Sequence, residues 1–298
     1  MESAGSRPLQ ASVLGALLVA ARPRQWLKNL FVFAGILFAA KLGDAGRWVD
    51  AFACFAAFCL ASSAAYLVND VRDAAEDRLH PVKRDRPVAA GTLSPGLATG
   101  VAAGLAVAAL LVAAPLGLRV AGMVVAFLAL QAGYSLGIKH IAPLDVLAIA
   151  GLFVIRAAAG AEAVSVEISW WLLLCTALLA LFLGLAKRRG ELVLVGAART
   201  PGRRVLEGYS IRLVDRLVSV VATATLLAYA AYTLTARDSK AMAVTIPFVL
   251  FAVGRYLVLV HRDDLGEDPE RVLLSDAQLL VAVAAWAVTA AVVLSVTQ

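Results

Sequence analysis

Residues 69–77 read Asn69-Asp70-Val71-Arg72-Asp73-Ala74-Ala75-Glu76-Asp77, and they follow directly on an apolar stretch, 49–68. Continued as a helix, this segment puts Asp70, Asp73 and Asp77 within about 60° of one another on one face. Three carboxylates crowded there repel each other unless a cation holds them. Hard oxygen donors suit magnesium, which binds through one or two carboxylates plus substrate phosphates. A solvated helix end, with the acids paired to Arg72 and Arg78, is the simpler alternative. Immediately downstream comes Lys83-Arg84-Asp85-Arg86-Pro87. Guanidinium groups grip phosphate oxygens bidentately, and lysine adds a point charge. Acids and bases together read as two sides of a diphosphate clamp, with simple anchoring of topology as the competing role for the bases.

The surrounding chain says what solvent this segment meets. Of 298 residues, 61% are hydrophobic and 16% charged, against about 45–50% and 25% in soluble domains. Mean hydropathy is +0.84. No sphere of this size could hide so many apolar side chains, so bilayer lipid must be the solvent for most of the protein. A secreted disulfide scaffold, a disordered chain and a soluble nucleic-acid binder are excluded, despite the net charge of +6. Cys54, Cys59 and Cys175 lie in apolar runs without a CxxC pair, and His80, His140 and His261 lack zinc spacing. Chemistry based on disulfides or transition metals is therefore not expected.

A spanning helix needs about 20 apolar residues. Nine stretches approach that length: 26–41, 49–68, 96–114, 117–136, 143–162, 168–186, 217–235, 242–260 and 278–296. The expected fold is an all-α integral membrane protein, one polytopic domain over 1–298 with about nine transmembrane helices. The shorter run Leu9–Ala21 precedes Arg22-Pro23-Arg24-Gln25-Trp26, and 1–25 reads as an interfacial segment. Pro247 and Gly254 predict a kink in the eighth span.

Charge then orients the bundle. With the N-terminus and even-numbered loops on one side, 20 Lys/Arg fall there and five on the other, with Arg156 and Arg255 inside spans. Short loops obey the positive-inside rule, so the N-terminus is expected in the cytoplasm. Sixteen of the 21 acids share that face. Orientation needs only bases; a face rich in both signs reads as a site for metal ions and anions. Loops 69–95 and 187–216 are its expected rim.

Further clusters extend the site. Tyr134, Ser135 and Lys139 precede the fifth span, where Asp145 and Arg156 stand about 20° apart on one helical face. An arginine inside a span is costly and functional by default; a structural Asp145–Arg156 pair is the alternative. Lys187-Arg188-Arg189 with Glu191 ends the sixth span, contacting substrate or anchoring topology. Arg255-Tyr256 ends the eighth, followed by the acidic Gly266-Glu267-Asp268-Pro269-Glu270 and Asp276, a cavity cap or a solvated loop. At the N-terminal side, Trp26 reads as an aromatic-belt anchor beside Asn29, and Lys28 could reach a lipid head group.

These residues resemble the UbiA-type intramembrane prenyltransferase superfamily, whose nine-helix bundles carry an NDxxDxxxD motif. Here that motif is Asn69, Asp70, Asp73 and Asp77, and the likeness runs from Arg22-Pro23 to Asp276. The second acidic motif departs from the usual pattern: Ile141, Asp145 and Ile149 offer one acid where two or three are usual. RPRQWLKN, YSLGIKH, LAKRRGEL and GEDPE resemble the branch of decaprenyl-phosphate phosphoribosyltransferases.

That resemblance implies a magnesium-dependent transfer of 5-phosphoribose from phosphoribosyl pyrophosphate to a polyprenyl phosphate, in arabinan precursor synthesis for a bacterial cell wall. It implies magnesium on Asp70, Asp73 and Asp77, with Lys83 and Arg84 also catalytic. Donor contacts would come from Asn69, Arg86, Lys187 and Arg188, and acceptor-phosphate contacts from Lys28, Lys139 and Arg156, with Tyr134 and Asp145 in the substrate wall. The implied place is the plasma membrane, with no nucleic-acid partner; a homo-oligomer, a trimer, is compatible with it. Two rival readings are a prenyltransferase using prenyl diphosphate and, from another class, a transporter. The sparse second motif opposes the first, and the confinement of charge to one face opposes the second.

Overall fold

A computed structural model describes residues 12–38, 43–80, 82–198, 204–236, 239–262 and 269–296. Its first helix, α1 (Val13–Ala21), stops where Pro23 disfavours helical geometry for the residue before it. Arg22 takes a left-handed conformation, φ 53°, and a 3-10 helix, Pro23–Phe33, leads into the short α2 (Ala34–Phe38). The next helices are α3 (Ala45–Arg72), α4 (Ala74–Leu79), α5 (Pro95–Ala113), α6 (Leu118–Leu136) and α7 (Leu144–Ala163). Then follow α8 (Trp170–Ala198), α9 (Ile211–Thr235), α10 (Ile246–Arg262), α11 (Pro269–Ser275) and α12 (Ala277–Val296).

Starts are marked by side chains that accept the unpaired backbone N–H groups of a first turn. Asp44 accepts from Gly46 and Arg47 at the head of α3, Ser94 from Leu97 at α5, and Ser210 from Leu213 at α9. Among the described residues, eight segments are long and apolar enough to cross a membrane. They correspond to the second through ninth expected stretches. The first, 26–41, is instead the 3-10 helix and α2, with 39–42 outside the described residues. The eighth opens as a 3-10 turn, Lys240–Thr245, with Pro247 in the first turn of α10.

Helices α3 and α7 form the centre. About 56% and 61% of their most apolar windows are buried, against 33% or less for the other six spans. Small residues let backbones approach closely in lipid, where no hydrophobic drive operates between helices. Ala57, Ala61, Ala109 and Ala113 illustrate this where α3 meets α5. The N-terminal segment packs on α3 and α7 and reaches α11 and α12. At its seam with α7 a Cβ on Gly160 would fall 1.9 Å from the Val32 carbonyl oxygen, and one on Gly35 would fall 2.5 Å from Ala161 Cα. Only glycine permits that approach, which places the polar side chains of the 3-10 helix inside the bundle.

Candidate active site

A cavity of about 1820 Å³ opens between these helices, well beyond the ~300–1,000 Å³ of ordinary small-molecule pockets. One end is charged. The remainder is apolar and aromatic, with Phe31, Phe153, Phe182, Leu183, Trp171 and Trp286 on its wall. The cavity therefore offers a polar head-group chamber continuous with a hydrocarbon chamber.

The charged wall is built by α3 and α4. The helix is interrupted for one residue at Asp73, yet Asp73 N–H still donates to Asn69 at 2.9 Å and Asp77 N–H to Asp73 at 2.8 Å. The three aspartates thus stay on one side, as the spacing predicted, and all line the cavity. Each faces a cation. Arg22 pairs with Asp70; Arg86 lies 2.7 Å from Asp77 and 3.4 Å from Asp70; Lys139 reaches the two Asp73 oxygens at 2.8 and 3.0 Å. Ser135, at the end of α6, donates to Asn69 Oδ1 at 3.1 Å.

Asp70 is buried, and its Oδ2 has no hydrogen-bond partner. Buried carboxylate oxygens are rarely left so. Among the described residues no three metal-type side chains converge tightly enough to hold an ion alone. The unpartnered Asp70 oxygen fits magnesium, which takes one or two carboxylates and completes its shell with phosphate oxygens and water.

Arg156 lies deeper, against this wall from α7. Its Nε donates to Asn29 Oδ1 at 2.7 Å and its Nη1 to the Leu152 carbonyl at 2.9 Å. Its guanidinium sits 4.6 Å from the Phe127 ring centre. Among the described residues no carboxylate pairs with it, so the alternative of a structural Asp145–Arg156 pair is not what forms. Arg156 is thus a buried cation on the cavity wall, a placement that is costly within a span unless the charge is paired or set in a polar cavity. Asn29 itself is held by Ser62 and Cys59.

Asp145 belongs elsewhere. It is fully buried, its Oδ2 accepting from Arg188 Nε at 2.6 Å and its Oδ1 from the Tyr209 hydroxyl at 2.7 Å. Arg188 also meets Glu191 and donates to the Tyr134 hydroxyl at 3.2 Å. Burial, and donation to the Asp145 carboxylate, push the Tyr209 phenol well above its usual range. This cluster joins α6, α7, α8 and the turn before α9. Asp145 does not line the cavity, which corrects its expected substrate contact to a support for Arg188 and Tyr134. Arg188 is itself almost wholly enclosed.

Most other expected site residues come together. Lys28, Asn69, Lys83, Arg86, Tyr134, Lys139 and Lys187 all line the cavity. Arg84 does not: it is exposed at the rim, because the 3-10 turn Lys83–Asp85 points its neighbours inward. Trp26, expected as a belt anchor, donates to Ser63 Oγ at 3.1 Å and so pins the 3-10 helix to α3. Of the late acidic loop, 263–268 lie outside the described residues, and Asp276 pairs with Arg255 at 2.7 Å. Sequence reasoning undervalued Arg22, whose place just before a proline at the end of an apolar run was the available signal. Tyr209 carried none.

Residues 29–277 match the UbiA prenyltransferase family. A decaprenyl-phosphate phosphoribosyltransferase of Mycolicibacterium smegmatis is 37% identical over 92% of this chain and 91% of its own. A protein of the same name from Mycobacterium tuberculosis is 38% identical over 94% of each chain. Among solved structures, a UbiA homolog from Archaeoglobus fulgidus bound to GPP and Mg2+ superposes with a TM-score of 0.73 at 18% identity, covering 94% of this chain and 99% of that one.

Proposed function

Since the chain belongs to the UbiA prenyltransferase family, we propose that it transfers 5-phosphoribose from phosphoribosyl pyrophosphate to a polyprenyl phosphate, decaprenyl phosphate in its relatives' names. The observation that carries this reading is the make-up of the cavity: a cation-rich chamber for a highly anionic soluble donor, opening into apolar volume for a lipid acceptor. The lone second acid supports it too. Asp145 spends both oxygens on Arg188 and Tyr209, where a prenyl-diphosphate enzyme usually keeps a second acidic motif.

Asp70, Asp73 and Asp77 would hold magnesium, whose charge stabilises the departing pyrophosphate. Arg86 and Lys83 bind the donor's phosphates beside them, and Lys187 approaches from α8. Lys28, Lys139 and Arg156 receive the acceptor phosphate. One acceptor phosphate oxygen attacks the anomeric carbon. The bond from that carbon to pyrophosphate breaks, and the electron pair leaves on pyrophosphate. The products are polyprenyl-phosphoryl-5-phosphoribose and pyrophosphate. The attacking oxygen is already anionic, so no strong general base is required. Rate enhancement comes from positioning two anions against preset cations and from stabilisation of the charge that develops on the leaving group.

The asymmetry of basic residues supports a cytoplasmic N-terminus in a bacterial plasma membrane, with Lys83, Arg86 and Lys187 on the side of the donor's entrance. Purified protein given phosphoribosyl pyrophosphate labelled in the ribose, polyprenyl phosphate and magnesium should move label into the lipid fraction. Transfer from labelled prenyl diphosphate to a soluble or aromatic acceptor, without transfer of ribose label, would replace this reading by the ordinary prenyltransferase.

A further inference from the structure

Among the described residues two buried side-chain polar atoms have no hydrogen-bond partner, Asp70 Oδ2 and the Tyr256 hydroxyl, and both residues line the cavity. Asp70 belongs to the acidic wall. Tyr256 is the outlier. It lies on α10, only 4% exposed, its ring edge-on to Phe182 with centroids 5.4 Å apart. Around it the wall is apolar: Phe182, Leu183, Val253 and Leu279. A phenol enclosed without a partner forfeits its hydration and gains nothing, so such groups are rare unless something absent from the protein satisfies them.

We propose that the Tyr256 hydroxyl binds the lipid acceptor, donating a hydrogen bond to an oxygen of its phosphate at the junction of head group and polyprenyl chain. This rests on the phosphoribosyl-transfer reading above. The donor, a multiply charged sugar, would find poor company on this apolar wall; the cations assigned to it are Lys83 and Arg86 in the loop after α4, and Lys187 further along α8. A lipid phosphate has a hydrocarbon tail that suits Phe182, Val253 and Leu279, and its head needs a donor where the tail ends. The N-terminal segment carrying Lys28 packs against α11 and α12, and α12 packs against α10. Tyr256 and Lys28 both line the same cavity. In an apolar surround, a neutral donor to an anionic oxygen makes a strong bond and leaves no uncompensated buried charge when the site is empty.

Tyr256→Phe removes the hydroxyl alone. Because the lost group has no partner in the protein, the melting temperature should be unchanged or higher. The KM for polyprenyl phosphate should rise about 10-fold or more, as for loss of a hydrogen bond to a charged group, while the KM for phosphoribosyl pyrophosphate stays put. Unchanged KM for both substrates overturns the proposal. A rise for the donor alone overturns the lipid assignment, and a clear fall in melting temperature shows that the hydroxyl serves the fold instead. Equilibrium binding of polyprenyl phosphate to wild-type and Tyr256→Phe protein in detergent needs no donor. If wild-type protein transfers no ribose label yet its affinity for polyprenyl phosphate falls in the variant, the function reading fails and the Tyr256 assignment stands. Equal affinities sink the assignment alone.

Discussion

Two groupings of carboxylates and cations flank one cavity, one lining it and the other reaching behind its wall, and they are opposites. On the α3–α4 wall, Asp70, Asp73 and Asp77 meet Arg22, Lys139 and Arg86, whose side chains are 11–24% exposed, and one carboxylate oxygen has no partner. On the α7–α8 wall, Asp145 and Arg188 are sealed at 0% and 1%, with both Asp145 oxygens satisfied. The carboxylates Asp70 and Asp145 are alike in burial, at 1% and 0%, and it is the exposure of their cations that differs. A partly solvated, under-satisfied cluster can exchange its protein cations for a metal ion and phosphates. A dehydrated and fully bonded one cannot do so without leaving a charge stranded, so it serves as a strut.

The sharpest way to break this contrast is to remove a charge from each wall and compare signatures. Asp73→Asn should cut ribose transfer by about 10²–10³-fold with little change in melting temperature; near-normal turnover in the purified variant would end the metal assignment. Asp145→Ala should show the reverse emphasis. It strands Arg188 in a dry site, at a cost of about 3–5 kcal/mol, seen as a marked fall in thermal stability, while magnesium-dependent binding of pyrophosphate by the surviving folded fraction is kept. Loss of that binding at unchanged stability would make Asp145 a site residue after all.

The N-terminal segment packs on both α3 and α7, and its seam with α7 is set by glycine. Gly160→Ala drives a methyl group into the Val32 backbone, and overpacking of this kind costs about 1–3 kcal/mol. Stability measured by denaturation should fall by that amount, and a silent substitution would mean the seam is looser than drawn. The smallest effect belongs to Arg84. Exposed and off the cavity wall, Arg84→Ala should change kcat/KM by about twofold or less, whereas Arg86→Ala, its neighbour by two residues, should cost about tenfold or more.

The acidic wall was legible in the sequence because its residues are close in the chain: a spacing of three and four on a helix needs no tertiary knowledge to share a face. Lys83 and Arg86 were legible for the same reason, and Arg84 was misread because a tight turn, unlike a helix, does not repeat its direction predictably. The alternative of an Asp145–Arg156 pair used sound helical geometry, yet sharing a face did not decide it: Asp145 is claimed by Arg188 from α8 and Arg156 by Asn29.

What the sequence determined by itself was the solvent, eight of the nine expected spans, and the crowding of charge into a few short segments. These follow from composition and local periodicity, which sum over residues and survive small errors in packing. Only the tertiary structure decided pairing. Arg156 finds Asn29 across 127 residues of chain, Arg188 takes Asp145 across 43, and Tyr256 is left with no partner at all. Hydrogen bonds and buried charges are settled within an ångström or two, and those distances exist only once distant helices have packed.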